Sequence, residues 1–205
     1  MLAVIRILKK LDEKQMNYYK IKSSINKLMP TIQLPTHDHI DQISQLNNKY
    51  LINNLTDAQK QNGFIRIAYG RDSLTEIINH KEMVIAIAQD NVVGYYLICK
   101  TSQIPTLEYQ KNKAITLFDT FTIPVDKIGY GCQVCIDEAY RNNGLFTSML
   151  ADLVIVVKDK YSHLLCSVSD DNDVSLNAHT SNGWQLLDDM ETTNYYIYNT
   201  SKTII

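Results

Sequence analysis

A strand-like run, a polar turn and a helix-like run follow one another closely in the second half of the chain. Tyr130–Ile136 is largely apolar, the turn Arg141–Gly144 reads Arg-Asn-Asn-Gly, and apolar residues then recur at helical spacing over Leu145–Val157. A helix that begins directly after such a turn exposes unpaired N–H groups and the positive end of its dipole. Gly144 lets the backbone approach an anion closely, and Arg141 adds positive charge. The unit therefore predicts a phosphate-binding site at a helix start.

A second polar pattern lies further along the chain, at Asn172, Ser175, His179 and Gly183-Trp184. The strand-like run Leu164–Val168 separates this pattern from the turn. A short helix is predicted to begin at Ser175 and to stop before Gly183, because glycine is a frequent helix terminator.

These two segments together resemble the GNAT superfamily of N-acetyltransferases, and the resemblance covers residues 31–200. Arg141–Phe146 is similar to the family's acyl-CoA loop, Q/R-x-x-G-x-G/A, with Phe146 in place of the last small residue. Asn172–Trp184 is similar to the family's N-x-x-A/S-x-x-x-Y-x-x-x-G-F pattern, with His179 in place of the Tyr and Trp184 in place of the Phe. The resemblance implies an α/β fold: a mixed, mostly antiparallel sheet flanked by helices on both faces.

The resemblance also implies that acetyl-CoA is bound as a co-substrate. Its pyrophosphate would lie on the amides of the turn and the helix start, and its pantetheine arm would run beside the preceding strand. In this family a bulge splays that strand from its neighbour, and the arm fills the opening. The residues implied in coenzyme binding are Val134, Cys135, Ile136, Arg141, Asn142, Asn143, Gly144, Leu145, Phe146, Asn172 and Ser175.

The reaction implied is direct attack of a primary amine on the acetyl thioester within a ternary complex. A backbone N–H of Val134–Ile136 is expected to stabilise the oxyanion. By position, His179 is predicted to give a proton to the departing CoA thiolate, and simple packing beside the sulfur is the alternative. Glu138 is the predicted general base. Asp137, at the rim of the site, is the other carboxylate considered as the base. Asp119 and Tyr109 are candidates for the lining of the acceptor pocket. The alternative role for Asn172 is to cap the next helix instead of binding the coenzyme.

Two other functions stay open on the sequence. A non-catalytic CoA-binding or regulatory module on the same fold is the first, because no side chain is an obvious base and His179 replaces a Tyr. The second is a redox protein that uses the C-x-x-C sequence of Cys132 and Cys135. On a regular strand, residues three apart point to opposite faces, so structural thiols in a reducing cytoplasm are the expectation for this pair.

The charge distribution bears on partners and on domain limits. The chain carries −2 overall, with +5 in residues 1–30 and therefore −7 in the remainder, which does not favour a nucleic-acid binder. The acidic body suits a cationic acceptor such as a polyamine or an aminoglycoside, and a peptide amine is the other class considered. No apolar run reaches the roughly 20 residues of a membrane span.

These properties predict a cytoplasmic monomer or homodimer without a metal. The acyltransferase domain is expected at 31–205, after a basic helical appendage at 1–30. The alternatives for that appendage are a membrane-surface helix and a natural start at Met29. His37-Asp38-His39 is interpreted as a helix start, with Asp38 as the N-cap, rather than as a metal site.

Overall fold

The computed structural model describes residues 29–98, 115, 123–190 and 192–201. Most of the predicted N-terminal appendage lies outside these residues, and so do Tyr109 and Asp119. No helix in the described ranges is both long and apolar enough to cross a membrane. The helices are α1 (Ile40–Tyr50), α2 (Asp57–Lys60), α3 (Arg71–Asn79), α4 (Leu145–Val157) and α5 (Asp173–Ser181). The strands are β1 (Thr31–Gln33), β2 (Met83–Ala88), β3 (Asn91–Leu97), β4 (Ile128–Gly129), β5 (Gln133–Ile136), β6 (His163–Ser169), β7 (Gln185–Met190) and β8 (Thr193–Asn199).

The strands form two four-stranded half-sheets, in the orders β1-β2-β3-β5 and β4-β6-β8-β7. Neighbouring strands are antiparallel except for β4 and β6, which are parallel. The prediction of a single strand over Tyr130–Ile136 is therefore wrong. The chain turns at Gly131, where φ is 70°, and the strands on either side of this turn join different half-sheets.

Two hydrophobic clusters hold the half-sheets between helices. The first packs α4 against β2 and β3 of one half-sheet and against β6 and β8 of the other. The second packs α1 and α3 on the opposite face of β2, β3 and β5. Because helices cover both faces of a mixed, mostly antiparallel sheet, the predicted fold class is confirmed.

Three helix starts differ from the sequence-based expectation. The helix predicted to begin at Ser175 begins two residues earlier, at Asp173. The sequence Ser73-Leu74-Thr75-Glu76 has the pattern of a capping box and predicts a helix that opens there, but α3 begins at Arg71 with Gly70 as its N-cap. Asp38 is not the N-cap of α1, because a 3₁₀ turn at residues 37–39 precedes that helix. The N–H of Thr36 donates to His39 Nδ1 at 3.0 Å and closes this turn.

Candidate active site

The exposed edge of β5 faces an opening between the two half-sheets. The Asp137 N–H donates to the Val93 carbonyl at 2.8 Å. Since backbone groups alternate in direction along a strand, those of Val134 and Ile136 point away from β3 and into the opening. The opening is closed at its other end, where the Cys132 N–H donates to the carbonyl of Leu165 in β6 at 3.3 Å. The strands therefore diverge, as the resemblance implied, but the pairing of β5 with β3 is continuous from Gln133 to Ile136 and does not contain the implied bulge.

A cleft of about 880 Å³, called here the larger cleft, lies beside the start of α4. Asn142 and Gly144 both adopt left-handed conformations, with φ of 60° and 76°. The first amide of α4 with a backbone acceptor among the described residues is that of Ser148, which donates to the Gly144 carbonyl at 3.1 Å. The amides just before it are the unpaired donors of a helix start. The turn and helix start thus have the geometry of an anion site.

Arg141 supports this turn as well as adding charge. Its Nε donates to the Ile136 carbonyl at 2.7 Å, and its Nη1 donates to the Asn62 carbonyl. Its guanidinium also lies 4.6 Å from the centre of the Tyr50 ring, a cation–π distance. Arg141 therefore fixes the turn to β5, to the loop before α3 and to α1. The sequence motif predicted the charge at this position but not these contacts.

The two acidic side chains before the turn differ in their contacts. Burial raises the pKa of Asp137, but hydrogen bonds from Lys49 and the Ala139 N–H outweigh that effect and leave the pKa below its usual value. The Lys49 ammonium lies 2.6 Å from this carboxylate, so Asp137 is a poor base. Glu138, the predicted base, is exposed and lines the larger cleft.

A second cavity of about 180 Å³, called here the smaller cavity, also borders β5. His179 lines it and is only 4% exposed. Its Nδ1 lies 2.7 Å from the Ser175 carbonyl. A carbonyl oxygen only accepts hydrogen bonds, so Nδ1 carries the hydrogen and Nε2 carries the lone pair.

The protonation state of His179 does not suit its predicted role as a proton donor. Burial lowers the pKa of His179 to about 4, although the hydrogen bond to Ser175 opposes this shift. The ring is therefore neutral at physiological pH. With its hydrogen on Nδ1, it has no proton on Nε2 to give to a thiolate.

The three departures from the family pattern, Phe146, His179 and Trp184, pack together. The rings of Phe146 and His179 lie edge to face with centroids 5.2 Å apart, and Trp184 packs on His179 in the same way at 5.2 Å. Phe146 also packs against Tyr96 at 5.5 Å. Phe146 thus turns towards the core from the first turn of α4, and these rings bury the imidazole.

Asn172 caps α5 and ties it to the loop before α3. Its Oδ1 accepts from the Ser175 N–H at 3.3 Å, and its Nδ2 donates to the Phe64 carbonyl at 2.8 Å. These bonds match its predicted alternative role as a helix cap. The residues that line both the larger cleft and the smaller cavity are Phe64, Ile65, Val134, Asn172 and Ser175.

Cys132 and Cys135 lie on opposite sides of the first half-sheet. Cys132 packs against the cluster that contains α4, whereas Cys135 belongs to the cluster beneath α1. Burial raises the pKa of both thiols, that of Cys135 to about 12. Both are free thiols, and their positions on opposite faces of the half-sheet do not support a redox pair. No group of three or more His, Cys, Asp or Glu side chains suited to a metal occurs within the described ranges.

Sequence reasoning missed two features beside the smaller cavity. Arg66 lines it from the loop before α3. A buried network also lies at its edge, where Asn47 Nδ2 and the Tyr95 hydroxyl both donate to Gln133 Oε1, at 3.2 and 2.7 Å. These residues are far apart in sequence, so no local pattern connects them.

Comparison with solved structures identifies the fold. No protein-family model and no curated protein sequence matches the chain. A putative acetyltransferase from Salmonella typhimurium, solved with acetyl-CoA, superimposes with a TM-score of 0.58 at 11% identity, over 85% of this chain and 95% of that one. PaiA N-acetyltransferase from Thermoplasma acidophilum, solved with coenzyme A, gives 0.59 at 11% identity, over 84% and 99%. A GNAT-family acetyltransferase from Streptococcus pneumoniae gives 0.57 at 12% identity, over 83% and 98%. The chain therefore has the fold of the GNAT acetyltransferases.

Proposed function

We propose that this protein is an N-acetyltransferase that moves an acetyl group from acetyl-CoA to a primary amine. The observation that carries the proposal is the splayed edge of β5, which runs from a helix start suited to phosphate towards a cavity that contains a neutral histidine. Neighbours of the same fold that were solved with acetyl-CoA or coenzyme A support it.

In this proposal the coenzyme binds along the larger cleft. Its pyrophosphate accepts from the amides of Arg141–Phe146, and its pantetheine arm pairs with the backbone groups of Val134 and Ile136 that face the opening. The thioester then reaches the residues shared by the two cavities. The Val134 N–H is the donor nearest that point along the strand and stabilises the oxyanion.

The proton follows a path through His179. The free amine attacks the thioester carbonyl, and the nitrogen of the tetrahedral intermediate gives its proton to Nε2 of the neutral ring. When the C–S bond breaks, the same proton passes from Nε2 to the thiolate and yields the amide and free CoA. The predicted donor role of His179 thus becomes the second half of a proton relay. Glu138 is less suited as the base, because it lines the larger cleft rather than the smaller cavity.

A non-catalytic CoA-binding module is the second candidate. The described lining of the smaller cavity contains no carboxylate, and burial makes His179 a weak base. A site that binds the coenzyme but does not activate an amine would have these features.

The decisive experiment measures binding and turnover separately on the full chain. Calorimetry measures CoA affinity, and a thiol reagent with mass spectrometry measures CoA release and acetylated product over polyamines, aminoglycosides, amino acids and peptides. We expect amine-dependent thiol release with an equal amount of N-acetyl product. CoA binding without turnover on any amine supports the module, and absence of both contradicts both functions.

A further inference from the structure

Arg66 lies on the wall of the smaller cavity, where two hydrogen bonds and a ring contact orient its guanidinium. Its Nε and Nη2 donate to Ser169 Oγ at 3.1 and 2.7 Å, and its guanidinium lies 5.1 Å from the centre of the Phe64 ring. These contacts leave Nη1 without an acceptor among the described residues. A guanidinium fixed in this way presents an ordered pair of nitrogens, the arrangement that binds a carboxylate in bidentate form.

Asp171 is the acidic partner of Arg66 and is easily displaced. Its Oδ1 lies 3.2 Å from Nη2, and the Arg66 and Asp171 side chains are 52% and 65% exposed. Ion pairs exposed to this degree contribute little to stability, because water screens them. The Asp171 contact therefore leaves the Arg66 charge available to a ligand that enters the cavity.

The strand surface next to Arg66 is polar, and apolar side chains such as Phe64 and Ile67 line other parts of the same cavity. Ser167 and Ser169 of β6 line it together with Thr193, which is paired with Ser169 in register and thus shares its face. At about 180 Å³, the cavity lies below the ~300–1,000 Å³ of sites for drug-sized ligands. Arg66 is the one permanent charge in its described lining.

We propose that the acceptor amine carries a carboxylate close to the reacting nitrogen, as a free amino acid does, and that Arg66 binds this carboxylate. This inference rests on the proposed acetyltransferase function. It replaces the expectation of a polyamine or aminoglycoside, which the acidic net charge had favoured. The net charge acts from the whole surface, whereas Arg66 lies on the wall of the cavity and repels a second ammonium at short range.

Matched acceptors test the proposal with the full chain. Initial rates with acetyl-CoA are measured for L-leucine against L-leucinamide, and for L-methionine against L-methioninamide, because each pair differs at the carboxylate alone. We expect Arg66→Gln to lower kcat/KM about 10- to 100-fold for the acids, the range for a hydrogen bond to a charged group. For the amides the change should stay within about threefold.

The Asp171→Asn variant is the matched control. If Asp171 only competes for Arg66, this variant leaves the KM of the acids unchanged or lowers it. CoA affinity and melting temperature are measured for both variants to show that the site is intact.

Three results would overturn the proposal. Arg66→Gln could impair acids and amides equally, Asp171→Asn could impair the acids as much as Arg66→Gln does, or polyamines could be acetylated with no dependence on Arg66. The first two would make the Arg66–Asp171 pair a structural link. Absence of turnover on every acceptor overturns the proposed function as well, so the two failures are distinguishable.

Discussion

The larger cleft and the smaller cavity follow one another along β5, the cleft beside Val134–Ile136 and the cavity beside Gln133 and Val134, but they are built from different parts of the protein. The anion site of the larger cleft is made of backbone, through the left-handed residues Asn142 and Gly144 and the first amides of α4. The smaller cavity is made of side chains, with Arg66, Ser169 and His179 contributed by a loop, a strand and a helix.

This difference matches the two ligands proposed for them. Backbone amides stay in place when side chains change, so an anion site made of amides suits a coenzyme that is shared across a fold. A cavity lined by side chains changes its charge and volume with every substitution, so it suits an acceptor that differs from protein to protein. Damage to the smaller cavity should therefore affect turnover, and damage to the turn should affect CoA affinity.

The largest effect should follow from replacing His179. We expect His179→Asn, which keeps a donor for the Ser175 carbonyl but has no Nε2, to lower kcat by about 10²- to 10⁴-fold, the range for general acid–base catalysis. His179→Phe should lower it similarly. CoA affinity from calorimetry should change by less than about threefold.

Thr180→Ala on the same helix is the control, because within the described part of the chain this exposed hydroxyl bonds only to backbone carbonyls of its own helix. If His179→Asn and Thr180→Ala turn over equally fast, the proton relay is wrong.

The second prediction concerns how the free energy of unfolding depends on pH. The pKa of His179 is about 4 in the folded protein, because burial lowers it, and ~6.5 when unfolded. Between these values the unfolded chain binds more protons, so stability is full above pH ~6.5 and is lost as the pH falls. At pH 5 the free energy of unfolding should be about 2 kcal/mol lower than at pH 7 because of His179.

Urea unfolding at pH 7 and pH 5, followed by circular dichroism, measures this loss. His179→Phe should remove it. If the wild type and His179→Phe lose the same stability between pH 7 and pH 5, other groups such as His163 account for the loss.

The turn and the cap of α5 were predictable from sequence because both are local. Gly144 and the helix after it are neighbours in the chain, and the Asn172 side chain caps a helix that begins at the next residue. Such short-range rules depend on few residues. They required no knowledge of the packing.

Other features depend on distant contacts and could not be predicted. The apolar residues around Gly131 read as one continuous strand, but the chain divides there because β4 and β5 pair with different partners. The lone pair on His179 Nε2 depends on the Ser175 carbonyl and on burial by aromatic rings. Arg66 stands alone in a loop, so no spacing marked it.

The third prediction compares two glycines at helix starts. Gly144 and Gly70 are the N-caps of α4 and α3, and a Cβ added to either meets no atom of the described residues within 4 Å. Their backbones differ, with φ of 76° at Gly144 and −71° at Gly70. We expect Gly144→Ala to cost about 1–2 kcal/mol of backbone strain and to weaken CoA binding about 5- to 30-fold.

Gly70→Ala should leave CoA affinity unchanged, because its φ suits any residue. Calorimetric titration of both variants makes the comparison. Equal CoA affinities would mean that the left-handed turn does not shape the anion site.

The smallest effect is expected for the cysteines of β5 and the turn before it. If this part of the chain acts through its backbone, Cys132→Ala and Cys135→Ala should each keep turnover within about threefold, since each removes only one buried sulfur. Their raised pKa values keep both thiols protonated, and thiols in this state react slowly with oxidants. Initial rates should also be the same with and without a reducing agent. A loss of activity on mild oxidation that dithiothreitol reverses would instead give these sulfurs a chemical role and break the contrast between backbone and side chains.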